Sequence, residues 1–164
     1  MTSPVALLMG SDSDLPHLEG CIAILKDFGI EPTVRVMSAH RTPDDVAQFV
    51  REAEGQGYKV LIAAAGCAAH LAGAVAAQTI LPVIGVPMPG SPLSGMDALL
   101  STVQMPAGIP VATMAIGKAG GSNAALFALE ILALGNEEIG QKMKDFRQAK
   151  ADGVRAKDAK INGQ

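Results

Sequence analysis

Val34-Arg35-Val36-Met37-Ser38-Ala39-His40-Arg41-Thr42-Pro43-Asp44-Asp45 passes from one regular structure to another within a dozen residues. Its first four residues form an alternating apolar run that delivers a strand. Thr-Pro-Asp-Asp then reads as a helix start, with proline tolerated in the first turn and carboxylates favoured there. Ser38, Ala39, His40 and Arg41 therefore sit at a strand-to-helix junction, and ligands bind at such junctions in open α/β sheets. An imidazole, which exchanges a proton near neutral pH, stands next to a guanidinium fork that matches phosphate. On its own the pair reads equally well as a solvated turn, although loops carry function more often than their share.

The same grammar repeats to either side. Residues 5–9 are an unbroken apolar run, as expected for a strand buried on both faces, and they end at Gly10-Ser11-Asp12-Ser13-Asp14. Leu18, Ile22, Leu25 and Phe28 follow at helical steps, with Ser13 or Asp14 expected as N-cap and Pro16 in the first turn. A helix start offers free N–H groups and the positive end of a dipole to an anion, so phosphate is the obvious guest. The loop has neither the six-residue glycine fingerprint of dinucleotide sites nor the Lys-Ser/Thr ending of a P-loop. Asp14 would repel phosphate; facing a ligand, it suits a neutral diol such as ribose hydroxyls, the other reading being a plain helix cap. After Gly29-Ile30-Glu31-Pro32 comes a second strand over residues 33–37. Thr42, Pro43 and Asp45 resemble a capping box, and Val46, Phe49, Val50 and Ala53 form the buried stripe of the next helix.

Residues 60–64 read as a third strand, followed by Ala65-Gly66-Cys67-Ala68-Ala69-His70-Leu71-Ala72-Gly73. Side chains this small let a flat ligand lie against the backbone in a pocket too apolar to hold much water. His70 reads first as a half-buried histidine bonded to a neighbouring backbone group and second as a catalytic residue. Cys67 reads as an inert thiol or as a nucleophile with His40 as its base. His17 lies on the first helix and is expected to be solvated. Residues 81–86 supply a fourth strand, and the turn-rich Pro87-Met88-Pro89-Gly90-Ser91-Pro92-Leu93-Ser94-Gly95 suits a lid or a subunit contact. A helix over 96–103, a loop over 104–110 and a fifth strand over 111–116 follow. Gly117-Lys118-Ala119-Gly120-Gly121-Ser122-Asn123 has its Gly-Lys in the wrong order for a P-loop and opens an apolar helix over 124–134. Residues 136–150 form an amphipathic helix with Ile139, Met143 and Phe146 in register, and 151–164 a frayed tail.

Five strand-helix units without repeat or linker give an α/β fold, a three-layer doubly wound parallel sheet with an added C-terminal helix. Residues 1–164 suit one catalytic domain with its core at about 5–134. A composition 49% hydrophobic but only 3% aromatic fits closely packed parallel strands. A net charge of −3 without a basic cluster excludes a nucleic-acid partner. Cys21 and Cys67 are too few for a disulfide scaffold and no secretory leader opens the sequence, so a reducing cytoplasm is expected. Residues 60–89 are long and apolar enough to suggest a membrane span. They are broken by Pro82, Pro87 and Pro89 and carry His70 and Gln78, so they read as strand, helix, strand and no membrane partner is expected. The helix over 124–134 is apolar nearly all round, which implies burial by another chain and a homo-oligomer.

MGSDSD from Met9, SAHRTPDD from Ser38, GCAAHLAG from Gly66, GVP from Gly85, SGMDALLSTVQMPAGIPVAT from Ser94 and AIGKAGGSNAA from Ala115 together resemble the PurE family of purine biosynthesis. The resemblance covers nearly everything between Val5 and Leu134. It implies a flavodoxin-like subunit in a homo-octamer, neither metal nor organic cofactor, and a small-molecule ribonucleotide substrate. In the bacterial branch it implies N5-carboxyaminoimidazole ribonucleotide mutase, which moves a carboxyl group from the exocyclic nitrogen to ring carbon 4. Matched residue by residue, phosphate and ribose contacts fall on Ser11, Asp14, Ser38 and Arg41, and the general acid/base on His40. The base and carboxyl pocket falls on Gly66 to Leu71, with Ala69 and His70 between. Cys67 and Ala72 depart from the family's usual GGAAHLPG. The family's other branch carboxylates aminoimidazole ribonucleotide directly with carbon dioxide, and a non-catalytic nucleotide-binding module is the more distant alternative.

Overall fold

In the computed structural model, which describes residues 3–163, the apolar run at the N-terminus forms β1 (Val5–Met9), every residue of it buried. A single 3-10 turn (Asp12–Asp14) leads into α1 (Leu15–Asp27), β2 (Thr33–Val36), α2 (Pro43–Ala53), β3 (Val60–Ala65) and α3 (Leu71–Ala76). Then come β4 (Val83–Pro87), α4 (Met96–Val103), β5 (Ala112–Thr113), α5 (Lys118–Ala133) and α6 (Glu137–Ile161). The strands pair in the order β2-β1-β3-β4-β5, all parallel. This is the flavodoxin-like order, and its direction reverses between β1 and β3, where such sheets bind ligands. Residues 60–89 fold as strand, helix and strand, and among the described residues no helix is long and apolar enough to cross a membrane.

Alternation along the strands assigns the helices to two faces. Ala6, Leu8, Leu61 and Ala63 pack with Val46, Phe49, Val50 and Ala53 of α2 and with Leu71, Ala72 and Val75 of α3. The stripe expected on α2 is thus the one buried. Val5, Leu7, Val60 and Ile62 point the other way, toward the side where Leu18, Cys21 and Leu25 of α1 are buried. There the start of α5 lies against α1 so closely that a Cβ on Gly121 would come within 2.9 Å of the His17 carbonyl oxygen.

Several boundaries differ from the expected ones. β5 keeps only two residues in register with Ile84 and Gly85, because Pro110 cannot donate to a ladder and the chain leaves the sheet toward Gly117, at φ 72. α5 begins at Lys118, six residues early. Glycines that look like helix breakers are required for close approach there: a Cβ on Gly120 would sit 1.6 Å from the Ala115 carbonyl oxygen. Ala124, Ala125 and Ala128 of α5 are buried within the chain itself. The apolar stripe left in water lies instead on α4, where Met96, Leu100 and Val103 are 51%, 50% and 47% exposed.

The chain forms two compact units that divide after Ala128. In the second, Asn136 caps α6 by accepting a hydrogen bond from the Ile139 N–H at 3.1 Å, and Arg147 pairs with Glu130. The expected frayed tail is helical as far as Ile161. Alanine-rich sequence with close charge pairs such as Arg155 and Asp152, 2.7 Å apart, favours helix over coil there.

Candidate functional site

The turns that follow β1, β2 and β3 open at the same edge of the sheet and wall one cleft of about 360 Å³ at the switch point. Arg41 ties two of these turns together. Its Nη2 donates to the Gly10 carbonyl at 2.8 Å, while its backbone N–H and its Nε donate to the Ser38 hydroxyl at 3.2 and 3.4 Å. The guanidinium is thereby held at the cleft wall with the rest of its fork exposed. The Thr42 hydroxyl accepts from the Ser38 N–H at 3.0 Å and donates to the Ser38 carbonyl at 3.2 Å. Being engaged there, it gives α2 no side-chain cap, and the expected capping box does not form.

Ser11, rather than Ser13 or Asp14, does the capping in the first turn. Its hydroxyl accepts from the Ser13 N–H at 3.3 Å and from the Ser13 hydroxyl at 2.9 Å. Asp14 makes no side-chain cap and lines the cleft. Burial pushes its carboxyl pKa above the ordinary value, against the opposing pull of a Ser11 backbone hydrogen bond and the neighbouring His17; nearby Asp12 pushes it further up. His17 is half-buried rather than solvated.

His40 and His70 meet across the cleft. His40 Nε2 lies 2.8 Å from His70 Nδ1, and the rings stand edge to face with centroids 4.9 Å apart at 84°. Such a bond needs a proton on one nitrogen and a lone pair on the other. His70 is exposed and bonded to a ring, which overturns its reading as a half-buried histidine held by backbone. Gly66 and Leu71 line the same cleft. Ala69 does not: it is 1% exposed, and its N–H donates to the Ser101 hydroxyl at 2.9 Å.

Cys67 stands in the cleft wall with its residue exposed and its backbone at φ 56, a region that residues with a Cβ seldom occupy. His40 Nε2 is turned to His70 rather than to this thiol, which leaves the thiol–imidazole nucleophile without its base. The other thiol, Cys21, is buried, and desolvation pushes its pKa up to about 12.

Gly90 also lines the cleft and was not among the expected site residues. It belongs to the turn-rich loop after β4, and β4 lies beside β3. The density of turn formers marks that loop in the sequence, but only the strand order brings it to this edge.

The profile of the AIR carboxylase family matches residues 4–153. The N5-carboxyaminoimidazole ribonucleotide mutase of Escherichia coli (strain K12) is 51% identical over 150 residues, which span 92% of this chain and 89% of that protein. The enzyme of the same name from Saccharolobus solfataricus is 53% identical over 144 residues, 88% of this chain and 90% of that one. Among solved structures, Treponema denticola PurE superposes with a TM-score of 0.87 at 34% identity, covering 96% of this chain and 97% of its own.

Proposed function

This chain belongs to the AIR carboxylase family, and from that premise we propose that it is an N5-carboxyaminoimidazole ribonucleotide mutase of purine biosynthesis. It converts its substrate to 4-carboxy-5-aminoimidazole ribonucleotide without a metal or an organic cofactor. The observation that carries this reading is the joint presence of the His40 ring and the Arg41 fork on one cleft, Arg41 anchored to Gly10 with the rest of its fork exposed. Arg41, Ser38 and Ser11 hold the substrate's phosphate, and Asp14 accepts from the ribose hydroxyls. Binding energy from that end of the molecule orients the heterocycle against His40.

In the first half of the reaction protonated His40 gives its proton to the exocyclic nitrogen as the nitrogen–carbon bond breaks. Carbon dioxide and aminoimidazole ribonucleotide result. Carbon 4 then attacks the carbon dioxide, a carbon–carbon bond forms, and the now neutral His40 removes the carbon 4 proton, which restores its starting state. Gly66, Ala68 and Leu71 give carbon dioxide an apolar wall, and exclusion of water keeps the gas beside the ring. His70, hydrogen-bonded to His40, holds the orientation of the catalytic ring.

The reading carries with it a homo-octamer in the cytoplasm. The apolar stripe of Met96, Leu100 and Val103, left in water by the isolated chain, supports association. Purified protein offered each substrate in turn tests the activity. Turnover of the N-carboxy compound is expected. Turnover of aminoimidazole ribonucleotide plus carbon dioxide alone would move the chain to direct carboxylation, and turnover of neither would leave a binding module.

A further inference from the structure

We propose that Ser101, on α4 and outside the cleft lining, is a positioning residue for the catalytic turn, an inference that rests on the mutase reading above. The turn in question runs over residues 66–70. It contains a non-glycine residue in the left-handed region, Cys67 at φ 56, followed by a tight bond from the His70 N–H to the Ala68 carbonyl at 2.9 Å. A backbone held in so sparsely populated a region persists only when its surroundings over-determine it.

Ser101 supplies that hold from thirty-two residues away. The Ala69 N–H donates to Ser101 Oγ at 2.9 Å. The same hydroxyl donates to the Asp97 carbonyl at 2.7 Å, with the Ala98 carbonyl at 3.2 Å. A serine within a helix ordinarily bonds only its own preceding turn; here that bond fixes the hydroxyl so that its lone pair faces a neighbouring loop. Ala69 is 1% exposed, so loss of the Ser101 hydroxyl leaves a buried N–H without its acceptor, which disfavours the closed turn and favours its opening to solvent. The residue after Ala69 is His70, whose Nδ1 lies 2.8 Å from His40 Nε2. A shift of the turn therefore reaches the His40 ring through one peptide unit and one hydrogen bond. α4 steadies a second wall of the cleft as well. The Asp97 carboxylate accepts from the Ser91 hydroxyl at 2.7 Å, and Ser91 adjoins Gly90, which lines the cleft.

The ribonucleotide's phosphate and ribose are read by the turns after β1 and β2, which Ser101 does not touch. Losing the tie should therefore lower kcat far more than it raises KM. Three variants separate positioning from simple stability: Ser101→Ala, Ser101→Val and Ser101→Thr. With the N-carboxy ribonucleotide as substrate, kcat for Ser101→Ala and Ser101→Val is expected to fall about tenfold or more while KM moves less than about threefold. Ser101→Thr, which keeps a hydroxyl, should recover most of kcat although it is as bulky as valine. Hydrogen exchange at the Ala69 amide should be fast in the Ala and Val variants and slow in the Thr variant and in the parent. Wild-type kcat in Ser101→Ala, a Thr variant no better than Val, or an Ala69 amide equally protected in every variant would overturn the proposal. Should the parent protein fail to turn over the N-carboxy compound, the mutase reading falls, whereas amide exchange still reports whether the tie exists.

Discussion

Replacing Arg41 with alanine removes a cation that ties two turns of the cleft together. Nη2 is engaged with the Gly10 carbonyl at 2.8 Å and Nε approaches the Ser38 hydroxyl at 3.4 Å, which leaves the remaining donors of the fork for an anion. Two charge-assisted bonds to a phosphate contribute about 1.5–3 kcal/mol each. Arg41 is exposed, so the low end applies, and a total of about 3 kcal/mol corresponds to roughly a hundredfold in affinity. The assay compares product ribonucleotide with the corresponding nucleoside, which lacks phosphate, by equilibrium binding to the parent and to Arg41→Ala. Affinity for the ribonucleotide should drop about a hundredfold while the already weak affinity for the nucleoside stays within about threefold. Arg41→Lys should fall between, because it keeps the charge but cannot span Gly10 and a phosphate with one planar fork. An equal loss for both ligands, or none for the ribonucleotide, would refute the assignment of Arg41 to phosphate.

Asp14 and the two thiols give independent checks. The folded pKa of Asp14 lies above its ordinary value of 3.8, mainly through burial. The protonated group therefore contributes stability that is present below pH 3.8 and lost as pH rises through the folded pKa. Asp14→Asn, which carries no charge to desolvate, should accordingly melt higher than the parent at pH 7, bind ribonucleotide more weakly, and lose its thermal advantage as pH falls below 3.8; equal melting curves at both pH values would contradict this. In the folded protein a disulfide-exchange dye should titrate one thiol, Cys67, and leave Cys21, which is buried with its pKa pushed up to about 12. Product ribonucleotide should slow the Cys67 reaction, and Cys67→Ala should keep measurable turnover; complete loss of turnover would reinstate the thiol as nucleophile.

The residues that were legible in the sequence are those whose chemistry is local. An apolar run that meets Thr-Pro-Asp-Asp fixes a strand-to-helix junction from within, and the stripe of α2 is set by helical spacing, so both appear in the structure as read. The doubly wound sheet followed from the alternation of such units. The remaining features depend on contacts between distant segments. Ser11 takes over the cap because a 3-10 turn intervenes before α1. α5 starts early because Gly120 and Gly121 are spacers for close approach rather than breakers. His70 finds His40 thirty residues away, and Gly90 reaches the cleft only through the strand order. No periodicity or turn signal encodes a partner at that separation.

In the proposed mechanism the His40 ring moves the proton while Arg41 and its neighbours hold the anion, and His40→Asn separates the two. Measured on one preparation, turnover of the N-carboxy ribonucleotide should fall by at least about a hundredfold, with equilibrium affinity for the ribonucleotide product within about threefold of the parent. Turnover that survives the substitution at near parental rate, or that disappears only because the ribonucleotide no longer binds, would contradict it.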